Sequence, residues 1–306
     1  MPRKSEPAGH LAPGTGHIRV HAALAIVAIL FSANYIISKL TMQSFAPLVF
    51  AYLRVFGSAI ILNTVVHDHG PIERSDEWRL AGFSVLAIVI NQFFFLGGLA
   101  LTSAHVAAIL VTVIPIFALG AAIAFGFERA TVTRIGGIVI AGAGALLVVA
   151  GEGFAGAAKS MLGDLMIIGS SFAYAFYLVL SKPVIERLSP RRVIARMFAI
   201  GSVLMLPISA WPLIQQDWRH VPGRAWAGLA LVIIGPTVAA YLLNAWALAN
   251  AESSLVAAYS YLQPVVTTVL AAIFLGETIQ PVAIVAGAMI IGGIYVAQMG
   301  GGLRAE

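Results

Sequence analysis

At 306 residues and a formal net charge of +5, the chain could hold two ordinary soluble domains, yet it is 60% hydrophobic and only 10% charged. Soluble domains carry about 25% charged residues, so a chain this poor in charge cannot solvate its own surface in water. Disorder and coiled coil are excluded with it, nucleic-acid binding falls for want of a basic stripe beside the pI near 9.7, and zero Cys removes disulfides, thiolate metal sites and thiol redox chemistry.

The first 19 residues, with Pro2, Pro7, Gly9, Pro13, Gly14 and Gly16, read as a disordered tail. Beyond it, apolar stretches of about 20 residues recur, each long enough to cross a hydrocarbon core of roughly 30 Å as a helix. They fall at 20 to 39, 46 to 66, 79 to 99, 104 to 126, 132 to 150, 162 to 181, 191 to 212, 225 to 248, 254 to 275 and 281 to 299. The expected fold is therefore an all-α integral membrane protein of ten transmembrane helices, with a linker at 151–161 and a short tail at 300–306. No room is left for a soluble domain. The first span is long and lacks a small-residue cleavage site, so it reads as a retained helix rather than a secretory signal.

Charge and turn clusters separate the spans at His67 to Arg79, Phe127 to Arg134, Ser181 to Arg192 and Gln215 to Arg224. Breaks of only a few residues, near Ala100 to Ser103 and Asn250 to Ser253, predict tight antiparallel hairpins. With ten spans, twelve Lys and Arg fall on the side of the N-terminus and four, Lys39, Lys159, Arg219 and Arg224, on the other. That bias places both termini in the cytoplasm and explains the raised pI. Arg54 and Arg196 fall inside spans, about two turns from a helix end, where snorkelling to headgroups or structural pairing is expected.

An internal repeat constrains mechanism further. Sliding the chain by 149 positions lays Gly98 to Glu128 on Ala247 to Glu277 with seven of 31 pairs identical, among them Pro115 with Pro264 and Glu128 with Glu277. Ser38-Lys39 ends the first span as Ser181-Lys182 ends the sixth; Arg54 lies seven residues after Pro47, and Arg196 six after Pro190. Each half, 20–150 and 162–299, holds five spans, an odd number, so the second must thread the membrane upside down relative to the first. Inverted repeats of this kind enclose a solute site near the midplane and expose it to each side in turn, which predicts a carrier.

The run APLVFAYLRVFGSAII, the proline of the ninth span (Pro264), Gly276-Glu277 at that span's end and the Gly-rich tenth span with Gly287, Gly292 and Gly293 resemble an EamA-type protein of the drug/metabolite transporter superfamily. The first half departs from the pattern, with Phe127-Glu128 where Gly-Glu is usual. The resemblance implies a ten-helix carrier of small organic solutes in the inner membrane. Exporters of neutral and aromatic amino acids, of the YddG type, are its suggested relatives, although the family also carries sugars, nucleosides and drugs.

Polar side chains inside the spans mark where that solute should sit, because each is costly in hydrocarbon unless it is partnered or lines a wet cavity. The expected binding residues are Asn34, Gln92, Tyr174, Tyr177, Tyr241, Asn244, Tyr259 and Gln263. Buried Ser and Thr more often serve their own backbone or a neighbouring helix. Pro115 and Pro264 are candidate hinges, and Glu128 and Glu277, at span ends on opposite sides, candidate gating or helix-end residues. Glu152, Asp164 and Glu252 also lie near span ends, so no midplane carboxylate offers itself for proton coupling; facilitated transport is expected, with His105 the alternative coupling group. There is no HExxH, GxSxG, P-loop or filter-like segment, which argues against an enzyme, an ATPase or a channel. No cofactor or metal is implied; the partners are a small-molecule solute and the lipid bilayer, with no nucleic acid. The glycines of the tenth span fit packing within the chain or between chains alike, so no oligomeric state follows.

Overall fold

In a computed structural model, which describes residues 15–66, 72–126, 130–155, 158–251, 256 and 259–299, every regular element is a helix. In chain order these are α1 (Thr15–Thr41), α2 (Pro47–Val65), α3 (Arg74–Leu101), α4 (Ala104–Ala124), α5 (Val132–Ala155), α6 (Ala158–Arg187), α7 (Pro190–Gln215), α8 (Gly223–Asn250), α9 (Tyr259–Leu275) and α10 (Pro281–Met299). α2, α7 and α10 open on proline, whose missing N–H is one the first turn leaves unbonded anyway. Among the described residues seven helices, α1 to α4 and α6 to α8, are long and apolar enough to cross a membrane. Three more are apolar but shorter in their described parts, Val132–Leu147, Tyr259–Leu275 and Pro281–Ala297. Against the ten full spans expected, the shortfall falls where those spans run partly over residues outside the described set. Glu128, Glu252, His67, His69 and the tails at 1–14 and 300–306 also lie outside it.

Polarity is arranged as lipid demands. Large apolar side chains such as Val203, Leu231, Ile273 and Ile284 stand on the outer surface, while Asn34, Arg54, Gln92, Thr237 and Thr267 are buried inside. Helix pairing recurs twice over: α2 packs on α7 and α5 on α10, and α1 meets α8 and α9 as α6 meets α3 and α4.

Irregular backbone recurs in the same way. A π-helical stretch interrupts α3 at Val85–Ile90 and α8 at Ile233–Ala239. α4 tightens at Thr112 and Val113, whose N–H groups reach back three residues to Ile109 and Leu110, and the helix resumes with Pro115 near its new start. α9 opens with a 3₁₀ turn at Tyr259–Tyr261, and Pro264 follows at the third residue of the regular helix. Each proline thus stands where an i→i−4 bond to its nitrogen is dispensable.

The Gly-Glu pattern also acquires a reason. Gly276 closes α9 in the left-handed conformation at φ 65°, and in the first half Gly126 takes that conformation at φ 75°, one place earlier than the alignment suggests. Between α5 and α10, a Cβ added at Gly137 would collide with the backbone of Gly293 and Ala297, and one added at Gly293 with that of Gly137 and Ala141. Gly293 of the tenth span is therefore used inside the chain, for close helix approach.

Candidate functional site

Where α1, α2, α3, α6, α8 and α9 converge they leave a cavity that offers about 100 Å³ to the centres of water molecules. One water needs only about 10–15 Å³ by that measure, so several waters or one small solute fit. Asn34, Gln92, Tyr174, Tyr241, Asn244, Tyr259 and Gln263 all line it, with Leu24, Phe31, Phe95, Val111 and Leu178 as apolar wall. Tyr177 does not border the cavity: it is buried behind Tyr174 and packs edge-on against Phe83.

The polar lining is only loosely self-satisfied. Asn244 Nδ2 donates to the Tyr174 hydroxyl at 3.3 Å, the Tyr35 hydroxyl to Gln263 Oε1 at 3.4 Å, and Gln92 Nε2 to the Tyr241 hydroxyl at 3.4 Å. Bonds beyond about 3.2 Å are weak, which leaves these groups free to serve a guest. Gln92 Oε1 is buried with no partner. Gln92 and Tyr241 also stand 149 residues apart, the offset that aligned the two halves.

Of the two expectations for Arg54, structural pairing is met, by Thr237, and snorkelling is not. The residue is 2% exposed and lines the cavity. Its partner comes from the π-helical stretch of α8, whose i→i−5 bonding carries the helix past Pro236. There the Thr237 hydroxyl donates to Val232 O at 2.7 Å, and with its proton so committed it accepts from Arg54 Nε at 2.6 Å. One face of the guanidinium is thereby fixed, while Nη1 stays buried without a hydrogen-bond partner. No Asp or Glu lines the cavity among the described residues. A charged arginine in a membrane interior costs about 2.5–3.5 kcal/mol even on the gentlest scale, so its retention calls for a compensating role. The signal available in sequence was the arginine's place inside a span; which way it faced depended on Pro236 and Thr237, more than 180 residues away.

On the side of Lys39, outside the cavity lining, Glu277 gathers a cluster of partners. Its Oε1 accepts from Lys39 Nζ at 2.8 Å and from the Ala104 N–H at 2.9 Å; its Oε2 accepts from the His105 N–H at 3.1 Å and lies 2.8 Å from His105 Nδ1. Lys39 also donates to the Thr102 carbonyl. One carboxylate thus caps the exposed N–H groups at the start of α4 and ties α9 to α1 and α4. Burial by itself would raise the carboxyl, but the hydrogen bonds from His105, Ala104 and Lys39 override it and hold Glu277 down to about 2. At the opposite face Asp76 pairs with Arg187 and Glu77 with Arg196, joining the start of α3 to α6 and α7. There, too, His21 Nδ1 lies 2.6 Å from the hydroxyl of Tyr259, which lines the cavity.

Comparison with known proteins agrees with this architecture. The EamA-like transporter family matches the chain twice, over residues 19–150 and 161–299. An uncharacterized transporter of Archaeoglobus fulgidus is 27% identical over 284 residues, covering 91% of this chain and 96% of its own. A probable terminal-alkyne amino-acid exporter of Streptantibioticus cattleyicolor is 26% identical over 215 residues, covering 70% of this chain and 69% of its own. Among solved structures, one crystal structure superposes with a TM-score of 0.64 at 18% identity, over 91% of this chain and 97% of the other, a likeness of fold. The chain belongs to the EamA-like transporter family of the drug/metabolite transporter superfamily, and is a multi-pass membrane protein that transports small solutes.

Proposed function

We propose that the protein is a secondary carrier that exports neutral or aromatic amino acids across the inner membrane by alternating access. The carrying observation is the enclosed cavity itself, walled by phenols, amides and apolar side chains drawn from both halves of the chain. In this reading 20–150 and 162–299 are two inverted five-helix repeats, and the chain catalyses no covalent chemistry. Gln92 and Tyr241 support it: residues equivalent by the repeat meet only near the axis that relates the two halves. Both termini lie in the cytoplasm, as the twelve-to-four distribution of Lys and Arg requires, so the Glu277 cluster lies toward the outer face. Lining on α1 ends at Tyr35, about one turn short of Lys39, which fits a site reached from the cytoplasmic side. The Streptantibioticus relative is named as a probable exporter of a terminal-alkyne amino acid, which lends the substrate class some weight.

Transport runs down the solute gradient, since no carboxylate lines the cavity among the described residues. Reconstitution into liposomes tests this. Saturable uptake of labelled phenylalanine, stimulated by unlabelled phenylalanine inside and indifferent to a pH gradient, is expected. Non-saturable flux, or accumulation that collapses with the proton gradient, contradicts the carrier or the facilitator reading respectively. Tyr174→Phe and Asn244→Ala should each alter the selectivity of that exchange.

A further inference from the structure

We infer that Arg54 receives an anionic group of the solute, so that the site selects small solutes with one carboxylate and an apolar body over compounds that lack a carboxylate. This rests on the carrier reading and supplies its missing recognition element. Arg54 is the cavity's formal charge among the described lining residues, and it arrives there with one nitrogen tied to Thr237 and Nη1 unpartnered. Guanidinium keeps its proton in proteins, so the charge cannot be shed by deprotonation. Nor does any ion pair join Arg54 to an Asp or Glu among the described residues. Glu277 is held by Lys39 and His105, Glu77 by Arg196, and Asp76 by Arg187 and Arg79. A buried cation bonded on one side and unpaired on the other, lining a cavity without a carboxylate while Glu277, Glu77 and Asp76 are engaged elsewhere, is a receptor for an anion brought in from outside.

The surroundings limit what that anion can belong to. Around Arg54 the lining is uncharged, so one negative charge is balanced and a second is not. Leu24, Val27, Phe31, Phe95, Val111, Ile114 and Leu178 would face the remainder of the solute, which favours an apolar or aromatic body. The unpartnered Oε1 of Gln92, a lining residue bonded through Nε2 to Tyr241, offers an acceptor that an ammonium group would satisfy. Carboxylate and ammonium on one small apolar molecule is the pattern of a neutral amino acid.

The purified protein in detergent, at constant chloride, can be titrated with four probes while thermal unfolding is followed: phenylalanine, 3-phenylpropionate, phenylalaninamide and phenethylamine. The two carboxylates should raise the midpoint saturably, and the amide and amine should bind at least about tenfold more weakly, a difference of about 1.4 kcal/mol. Arg54→Gln should abolish that preference, Arg54→Lys should keep part of it, and Arg196→Gln should leave it intact. The acid-against-amide comparison on the unaltered protein needs no variant to fold. Equal binding of acid and amide, unchanged binding by Arg54→Gln, stabilisation by chloride and not by the organic acids, or no saturable shift with either carboxylate would overturn the assignment. Counterflow separates the two readings: neutral solutes exchanging with no carboxylate preference leave the carrier standing without the Arg54 receptor. Carboxylate binding without any exchange leaves the receptor standing without the carrier.

Discussion

Arg54 in α2 and Arg196 in α7 occupy nearly corresponding places, and their fates differ completely. Arg54 is buried at the cavity with Thr237 as its bonded partner, whereas Arg196 stands half exposed and bonds both carboxylate oxygens of Glu77. The cause is one residue of register. Arg54 follows its helix-opening proline, Pro47, by seven residues and Arg196 follows Pro190 by six, and one residue turns a side chain by about 100° around a helix. Met197, seven residues after Pro190, is the true counterpart of Arg54 and is buried as Arg54 is. An insertion-sized difference in spacing therefore separates a group at the cavity from a group paired with Glu77 at the surface.

The sharpest way to test that contrast is to reverse each charge. Arg54→Glu should lower phenylalanine counterflow by at least about 100-fold, near 2.7 kcal/mol, while Arg196→Glu should stay within about threefold. A register swap, Leu53→Arg with Arg54→Met, gives the first half the six-residue spacing of the second; folding should persist while carboxylate binding falls by roughly 10-fold, about 1.4 kcal/mol. Thr237→Val removes both the hydroxyl that serves Val232 and the acceptor for Arg54 Nε. Thermal unfolding should report a loss of about 1–3 kcal/mol, because Arg54 Nε is left buried without its acceptor.

Glu277 supplies a case with the opposite sign, an ion rich in partners. Its carboxyl is held at about 2, below the usual 4.5, so its stabilising contribution is fully present above pH 4.5 and fades as pH falls toward 2. The difference in unfolding midpoint between the native protein and Glu277→Gln should accordingly be flat from neutral pH down to about 5 and shrink below that. Smallest of all is Glu77→Gln, which breaks an exposed ion pair; the midpoint should change by no more than about 1 kcal/mol, and less at high salt.

Much of the fold was legible because length and apolarity alone identify a membrane span. The facing of each helix was not, since a span that meets lipid on one side and helix on the other is apolar all round and shows little polar-to-apolar contrast. Polar residues broke that silence: Asn34, Gln92, Asn244 and Gln263 stand out in the sequence as amides inside spans, and all four line the cavity. Tyr177 misled because its neighbour Tyr174 lies three residues away on the same stripe, and only packing against Phe83 distinguishes them. For Glu277 the sequence revealed a helix end and nothing more; its partners Lys39, Ala104 and His105 are all more than 170 residues distant and come together only through tertiary contact.

The seam between α5 and α10 has a mechanical consequence. Gly137 and Gly293, with Ala141 and Ala297, bring the two helices together across bare backbone and methyl groups. That part of the seam, unlike the stretch where Ile290 and Met289 press on Gly144, has no interlocking teeth to unmesh, so a small roll there requires no side chain to change rotamer. It can serve as a low-friction bearing, and lengthening either glycine would wedge it apart.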